Sequence, residues 1–143
     1  MPLSPRDRAL VATAEALIRA RFSPERQHLA AAVRTAGGRV HTGVNLDTYV
    51  GRCATCAEAV ALGAAVAAGD RTIDTVVAVR WVGRGRARVA NPCGVCREML
   101  VSYGDPWVVH ERAGRLVRSR ASALLPDRYR RHGEPDVRRR SSR

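Results

Sequence analysis

Three cysteines and one glutamate are the residues of this chain best suited to chemistry. Cys56 is followed two residues later by Glu58, and Cys93 and Cys96 form a Pro-Cys-x-x-Cys motif that begins at Pro92. Thiolates are soft ligands that suit zinc, and a catalytic zinc site keeps three protein ligands and leaves its fourth position open to water. A carboxylate beside such a site can take a proton from the water and pass it to a leaving group. The spacing therefore predicts a zinc-dependent hydrolytic site from which an amine can leave.

A fourth cysteine allows a different kind of metal site. Cys53 lies three residues before Cys56, so the cysteines also form two C-x-x-C pairs, the pattern of a structural zinc ribbon. Ribbons usually separate their pairs by about 15–20 residues, whereas 36 residues lie between Cys56 and Cys93. A ribbon would also have no use for Glu58. The structural zinc module is the alternative to a catalytic site, and disulfide pairing is less favoured than either.

The residues around the cysteines resemble the cytidine deaminase superfamily, whose members carry a C/H-A-E motif followed by P-C-x-x-C. Here the two motifs are Cys56-Ala57-Glu58 and Pro92-Cys93-Gly94-Val95-Cys96. The segments at the places of the family's V-G-A-A, G-x-N and L-L-P are Leu29-Ala30-Ala31-Ala32, Gly43-Val44-Asn45 and Leu124-Leu125-Pro126. The resemblance spans roughly residues 6–130. It implies that the chain is a zinc-dependent hydrolytic deaminase.

The resemblance assigns roles to the site residues. Cys56, Cys93 and Cys96 are the implied zinc ligands. Glu58 is the implied proton shuttle, which would deliver a proton to the ring and then protonate the departing ammonia. The surroundings of Glu58 support this role, because a carboxylate in an otherwise apolar helix is costly to bury without one.

An arginine is expected to offset the charge of the metal site, since three thiolates and a zinc dication leave one excess negative charge. Nucleoside deaminases carry an Arg directly after the C-A-E motif, where this chain has Ala59. Arg97, Arg86 and Arg88 are the candidates to replace it. The alternative is that these arginines are only solvated.

Substrate contacts follow from the resemblance as well. Asn45 and Asp47 resemble the family's N-x-E pair, which contacts the sugar hydroxyls, but Asp is one methylene shorter than Glu, which implies an altered sugar. Tyr129 matches an aromatic residue that closes the site. Two positions depart from the nucleoside deaminases: Gln27 replaces an aromatic residue beside the base, and Glu98 replaces the Gln that follows C-x-x-C-R.

Two substrate classes fit these residues. The first is a cytosine nucleoside or nucleoside-like aminopyrimidine, converted to the uracil form with release of ammonia. The alternative is blasticidin S or another cyclic amidine, because blasticidin S deaminases also lack the N-x-E glutamate and carry T-G-V-N, as in Thr42-Gly43-Val44-Asn45. The family commonly forms tetramers with sites completed by neighbouring subunits, so the resemblance also implies a homotetramer.

Charge bears on a third possibility, a deaminase that acts on nucleic acid and holds phosphate with Arg84, Arg86 and Arg88. The chain has a net charge of +12, and clustered Arg can neutralise phosphates. However, residues 127–143 hold seven Arg against three acidic residues, a third of the excess. Aromatic residues, which would stack on bases, make up only 4% of the chain. A nucleic-acid partner is therefore disfavoured.

Length and composition limit the organisation of the chain. At 143 residues it can form one domain without disulfides. We expect a single deaminase domain over 1–126 and a basic tail over 127–143 that is disordered beyond Tyr129. No apolar stretch approaches the roughly 20 residues of a membrane span, and the first residues lack the apolar core of a signal peptide. These features predict a cytoplasmic protein with free thiols and no membrane contact.

Hydrophobic periodicity predicts the elements that position these residues. Helices are expected over 5–21, 56–68, 93–103 and 119–125, and strands over 29–34, 39–46, 73–81, 107–111 and 115–118. The stretch from Gly83 to Arg88 is expected to be a flexible loop. The order is that of an α/β fold, a three-layer α-β-α sandwich around a mixed five-stranded sheet. Because two predicted helices begin at Cys56 and Cys93, their dipoles would offset thiolate charge.

Overall fold

A mixed sheet of six strands separates one helix from two others in the computed structural model, which describes residues 1–134. The helices are α1 (Pro5–Arg21), α2 (Ala57–Ala67) and α3 (Gly94–Ser102). The strands are β1 (Leu29–Thr35), β2 (Val40–Val44), β3 (Ile73–Gly83), β4 (Arg86–Ala90), β5 (Trp107–Arg112) and β6 (Arg115–Arg120). The predicted three-layer α-β-α sandwich is confirmed. Residues 135–143, most of the predicted tail, lie outside the described residues, so the expected disorder beyond Tyr129 stays a prediction.

The sheet is mixed because two of its strands run parallel. The strand order is β2-β1-β3-β5-β6, and β4 pairs with the second half of β3. β3 and β5 run parallel over residues 75–77 and 107–109, whereas the other paired strands are antiparallel. β4 and β5 therefore lie against successive parts of the same edge of β3.

Strand β4 corrects the prediction of a five-stranded sheet with a flexible loop over residues 83–88. The chain turns within Gly83-Arg84-Gly85, at positive φ angles of 86°, 53° and 71°, and then pairs back on β3. Ala87 and Val89 pack with the α1 layer. This strand is difficult to recognise in the sequence because it is short and its apolar side chains are small and only partly buried.

The predicted final helix over 119–125 is a single 3-10 turn, Ala121–Leu124. Ser119 and Arg120 still belong to β6, where they pair with Val108 and Trp107 of β5. Sheet pairing takes precedence over helix formation there, and only the residues past the end of β6 form a helical turn.

Helix α1 covers one face of the sheet. It begins with a capping box, in which Ser4 Oγ accepts a hydrogen bond from the Asp7 backbone N–H and the Asp7 carboxylate accepts one from the Ser4 backbone N–H. Leu10, Ala14 and Ile18 recur at helical spacing and are buried. Their buried neighbours on the sheet are Ala30, Ala32, Val77, Val79 and Val109.

Charged residues fix α1 to the sheet. Asp7 has 0% of its surface exposed, and its carboxylate pairs with Arg34 at 3.0 Å and with Arg118 at 3.4 Å. Arg34 also pairs with Asp74 at 2.7 Å and donates to Thr75 Oγ1. Because buried charges are tolerated only when they are paired, this cluster sets the position of α1 relative to β1, β3 and β6.

Helices α2 and α3 cover the opposite face. α2 contains Ala, Val, Leu, one Gly and a single charged residue, Glu58. The helix approaches β2 so closely at Gly43 that an added Cβ would lie 2.6 Å from the Ala61 nitrogen. This approach requires glycine on the strand and sets the height of α2 above the sheet. Within residues 1–134, no helix combines the length and the apolar character needed to cross a membrane.

Candidate active site

Two helix starts bring the predicted cysteine ligands together. Cys56 directly precedes α2, Cys93 directly precedes α3, and Cys96 lies in the first turn of α3. Their sulfur atoms all lie within 4.8 Å of one another, and Cys56 Sγ is 3.7 Å from Cys93 Sγ. Cys96 is buried and Cys93 is exposed, so the cluster opens to solvent on the Cys93 side.

The spacing of the sulfur atoms fits a zinc ion. In a tetrahedral site each Zn–S bond is about 2.3 Å long, which places two sulfur ligands about 3.8 Å apart. The separation of 3.7 Å between Cys56 and Cys93 agrees with this value. Cys53 lies outside the cluster, in an exposed 3-10 turn over Gly51–Cys53. The donor set is therefore that of a site with three protein ligands.

The three thiols differ in acidity. Burial and a hydrogen bond with Cys93 raise the pKa of Cys56, while burial and the charges of Glu58 and the other two cysteines raise the pKa of Cys96. Burial also acts to raise the pKa of Cys93, but hydrogen bonds from the Cys96 backbone N–H and the neighbouring thiols lower it overall. Full ionisation of the cluster thus needs a cation beside it.

Glu58 reaches the cluster from the first turn of α2. It is 5% exposed. Burial raises the pKa of its carboxyl group, and hydrogen bonds from its own backbone N–H and from the Cys96 thiol lower the pKa only in part. A shielded carboxyl with a raised pKa exchanges protons more readily near neutral pH than an exposed one does. The structure brings Glu58 to the cysteines as the sequence predicts.

The three arginines considered for charge balance lie in different places. Arg97 donates from Nε to the Pro92 carbonyl and from Nη1 to the Leu124 carbonyl, both at 2.9 Å. Its guanidinium is therefore anchored beside the residue that precedes Cys93. Arg86 and Arg88 are exposed on β4, and their side chains are not anchored at the cysteine turn.

Asn45 and Asp47 are engaged within the chain. Asn45 Oδ1 accepts hydrogen bonds from the backbone N–H groups of His28 and Leu29, at 2.8 and 2.9 Å, and Nδ2 donates to the Arg26 carbonyl at 3.0 Å. The Asp47 carboxylate accepts the next backbone N–H at 2.9 Å. Asn45 thus holds the segment that leads into β1 in place. It does so with three of the four hydrogen bonds that its amide can form.

Tyr129 lies on the outer side of α3. It is 83% exposed and lines a cavity of about 550 Å³ together with Glu98 and Ser102. Glu98 pairs with Arg128 at 3.0 Å, and Arg128 also pairs with Glu134. The lining of this cavity does not include the cysteines, so within a single chain Tyr129 and the metal ligands line different surfaces.

Two anchoring residues carry no distinctive signal in the sequence. Asp105 is buried, and its carboxylate accepts hydrogen bonds from the backbone N–H and the hydroxyl of Ser122 at 2.6 and 2.9 Å. Asn91 forms two hydrogen bonds with the main chain of Glu111. Both residues precede a proline, and Asp-Pro and Asn-Pro are common in turns. Their sequence signal therefore does not separate an anchor from an ordinary turn residue.

Comparison with known proteins gives this site its family. A family model described as "Cytidine and deoxycytidylate deaminase zinc-binding region" matches residues 5–111. The chain belongs to the cytidine and deoxycytidylate deaminase family. This deaminase is 38% identical over 136 residues to the protein named "Blasticidin-S deaminase" of Bacillus cereus, a match that covers 91% of this chain and 96% of the relative.

Solved structures agree with the family. The cytidine deaminase of Burkholderia pseudomallei is 28% identical, with a TM-score of 0.70, and covers 89% of this deaminase and all of its own chain. The cytidine deaminase of Mycobacterium tuberculosis is also 28% identical, with a TM-score of 0.68, over 84% of this deaminase and 94% of its own chain. The predicted fold, the zinc cofactor and hydrolytic deamination of a cyclic amidine are confirmed. A structural zinc ribbon is therefore not the function of the cysteines.

Proposed function

We propose that this deaminase acts on a cytosine nucleoside whose sugar part differs from ribose, with blasticidin S as the representative substrate. The observation that carries the hydrolytic chemistry is the buried Glu58 carboxyl beside the thiols of Cys56, Cys93 and Cys96. The 38% identity to a blasticidin-S deaminase, over nearly the whole length of both chains, supports the substrate class.

Glu58 moves the protons of the reaction. Zinc, when it is held by the three thiolates, supplies the Lewis acidity that makes water nucleophilic near neutral pH. Glu58 takes a proton from the attacking water and delivers it to the ring nitrogen. It then takes the second proton of that water from the new hydroxyl on the ring carbon and delivers it to the departing amino group. The ring carbon gains a C–O bond and loses its exocyclic C–N bond, so the products are a keto ring and ammonia. The raised pKa of the buried Glu58 suits a group that must both accept and donate protons.

The surrounding residues hold the metal ligands and balance their charge. Cys56, Cys93 and Cys96 are the proposed zinc ligands, since helix N-termini stabilise their thiolates. Arg97 is the proposed charge-balancing residue, because its guanidinium is anchored on the carbonyl that precedes Cys93. Arg86 and Arg88 are exposed on β4 and contribute less.

The substrate contacts support a modified sugar. The Asn45 amide keeps one N–H for a ligand after its bonds to the segment before β1. The Asp47 side chain is one methylene shorter than that of Glu, and its carboxylate already accepts a hydrogen bond from a backbone N–H. Together they offer fewer groups to sugar hydroxyls than a free Asn and Glu pair. Cytidine itself is the second candidate, supported by the 28% identity and TM-score of 0.70 to a solved cytidine deaminase.

We further propose a cytoplasmic homotetramer with a single domain over residues 1–126. The outward face of α2 carries Gly63, Ala64 and Ala67, which are exposed and uncharged. Tyr49 and Val50 are also exposed, at 96% and 59%. Burial of these surfaces against other copies would remove apolar area from water, which is favourable in free energy. In the assembly, Tyr129 is proposed to close the site of a neighbouring subunit, since in its own chain it lines a different surface.

A deamination assay with four substrates tests the proposal. Zinc-loaded protein is incubated with cytidine, deoxycytidine, cytosine and blasticidin S, and ammonia release and the ultraviolet spectrum of the ring are followed. We expect the highest kcat/KM with blasticidin S. A higher value with cytidine or deoxycytidine would favour the second candidate. Turnover of none of the four by protein that holds zinc would overturn both.

A further inference from the structure

The turn that carries Cys93 is tied to the sheet by a side chain. Asn91 Nδ2 donates to the Glu111 carbonyl at 3.0 Å, and the Glu111 backbone N–H donates to Asn91 Oδ1 at 2.8 Å. The carboxamide offers one donor and one acceptor in the same geometry as a peptide group. Asn91 therefore pairs with Glu111 as a residue of a neighbouring strand would.

This pair lies where the ends of two strands of the sheet meet. β4 pairs with β3 as far as Ala90, and β5 pairs with β3 over residues 75–77 of β3. The last residues of β4 and of β5 thus meet at the same edge of β3. The two hydrogen bonds of Asn91 join these ends directly before the chain turns into α3.

A second anchor holds the same turn from the helix side. Arg97 Nε donates to the Pro92 carbonyl at 2.9 Å, and Arg97 Nη1 donates to the Leu124 carbonyl at 2.9 Å. Asn91 and Pro92 are consequently fixed by different partners. The next residue is Cys93, which is exposed and directly precedes α3.

We propose that Asn91 is a positioning residue for the metal ligand Cys93, an inference that rests on the proposed ligand role of that cysteine. Cys93 Sγ lies 3.7 Å from Cys56 Sγ, a separation that suits a shared zinc ion. Backbone freedom at the turn changes this separation directly, because Cys93 lies on a loop and receives little packing. The link between Asn91 and Glu111 removes that freedom. Residues that orient metal ligands in this way typically affect metal affinity by about 10–100-fold.

Three variants separate this role from a general effect on stability. Asn91→Ala removes both hydrogen bonds. Asn91→Asp keeps the acceptor for the Glu111 N–H but loses the donor to the Glu111 carbonyl. Glu111→Ala is the matched control, because it changes the side chain at the partner residue and leaves the main-chain groups that bind Asn91 in place.

Metal retention is the readout, so the result does not depend on finding the substrate. Zinc-loaded protein is mixed with a chromogenic chelator and the rate of zinc release is followed. The cobalt-substituted protein reports ligand geometry through its thiolate-to-cobalt absorption bands. Melting temperatures are measured for each variant with and without metal.

We expect Asn91→Ala to release zinc about tenfold faster than the wild type, with altered cobalt bands. Asn91→Asp should fall between the two, and Glu111→Ala should match the wild type. If Asn91 only stabilises the fold, its variants will melt at lower temperature while zinc release and cobalt bands stay unchanged, and the inference is then overturned. Zinc release from all three variants within about twofold of the wild type overturns it as well. Failure of the deamination assay alone would leave these metal measurements valid.

Discussion

The sulfur atoms of Cys56 and Cys93 lie 3.7 Å apart, although 36 residues separate them in the chain. They meet because α2 and α3 pack on the same face of the sheet and point their N-terminal ends at one place. Helix α2 and strands β3 and β4 occupy most of the intervening chain. The distance between the two sulfur atoms thus depends on where each helix packs on the sheet.

Zinc content should distinguish the cysteines of the cluster from Cys53. Cys93→Ser removes one of three clustered ligands, so we expect the purified variant to lose most of its zinc. Cys53→Ser should retain one zinc per chain, since Cys53 lies in an exposed turn outside the cluster. Elemental analysis after gel filtration provides the measurement. Loss of zinc from Cys53→Ser equal to the loss from Cys93→Ser would make Cys53 a ligand.

Glu58→Gln should separate metal binding from turnover. The amide has the same size as the carboxylate but cannot carry protons, so we expect unchanged zinc content and a loss of about 10²–10⁴-fold in kcat. Glu15→Gln on α1 is the control for an amide substitution far from the site. The assay is deamination at substrate saturation. A Glu58→Gln enzyme with more than about a tenth of wild-type kcat would exclude Glu58 as the proton shuttle.

The sequence predicts the reactive groups of this site better than it predicts the strand and the hydrogen bonds that hold them in place. Cys56 and Cys93 stand out because thiolates at this spacing suit a zinc ion, and Glu58 stands out because a carboxylate in an apolar segment is costly to bury without a function. Helix α1 is predicted with its observed bounds, since its apolar residues recur at helical spacing.

Other features could not be predicted because they depend on long-range pairing. The apolar residues that alternate with the arginines of β4 are small and only partly buried, and the strand directly follows a Gly-Arg-Gly turn, so this short segment resembles a loop. The bonds of Asn91 to Glu111 and of Arg97 to Leu124 join residues 20 and 27 positions apart. Asn and Arg are common in turns and on surfaces, so the residues next to them in the sequence do not reveal such distant partners. Only the folded sheet brings these groups within reach.

Arginine variants test the proposed charge balance. We expect Arg97→Gln to lower kcat/KM by about tenfold, because it removes both the charge and the anchors at the cysteine turn. Arg86→Gln and Arg88→Gln, at exposed positions of β4, are the matched controls and should stay within about twofold of the wild type. Arg97→Lys keeps the charge but not the forked geometry that reaches two carbonyls. A loss in Arg97→Lys as large as in Arg97→Gln would assign Arg97 to anchoring and not to charge balance.

Glycine substitutions test the seating of α2. A Cβ at residue 43 would lie 2.6 Å from the Ala61 nitrogen and 2.8 Å from Val60 Cβ. We expect Gly43→Ala to lower the free energy of unfolding by about 1–3 kcal/mol, the usual cost of overpacking. Gly63→Ala on α2 is the matched control, because within one subunit its Cβ would meet nothing within 4 Å. It should raise stability by up to about 1 kcal/mol, since alanine favours helix. Equal unfolding energies for the two variants in urea would contradict the tight approach at Gly43.

The ion cluster under α1 should make stability depend on pH. Burial acts to raise the pKa of Asp7, but hydrogen bonds from Ser4 and Arg34 and the charge of Arg118 lower it overall. The folded pKa therefore lies below the unfolded value of about 3.9. Stabilisation by the carboxylate is complete above the unfolded pKa and is lost as pH falls through the folded pKa, because the unfolded state then binds the proton more readily.

Asp7→Asn removes this dependence. At pH 7 we expect the variant to unfold with about 3 kcal/mol less free energy than the wild type, since Arg34 and Arg118 lose a buried partner. The difference between the two proteins should shrink as pH falls below about 4, because the carboxyl group of the unfolded wild type then takes up a proton before the folded one, whose pKa is lower. Urea unfolding at a series of pH values provides the measurement, and Glu15→Gln at the surface of α1 is the control. A difference that stays constant from pH 7 to pH 3 would show that Asp7 stabilises the fold by its shape and hydrogen bonds and not by its charge.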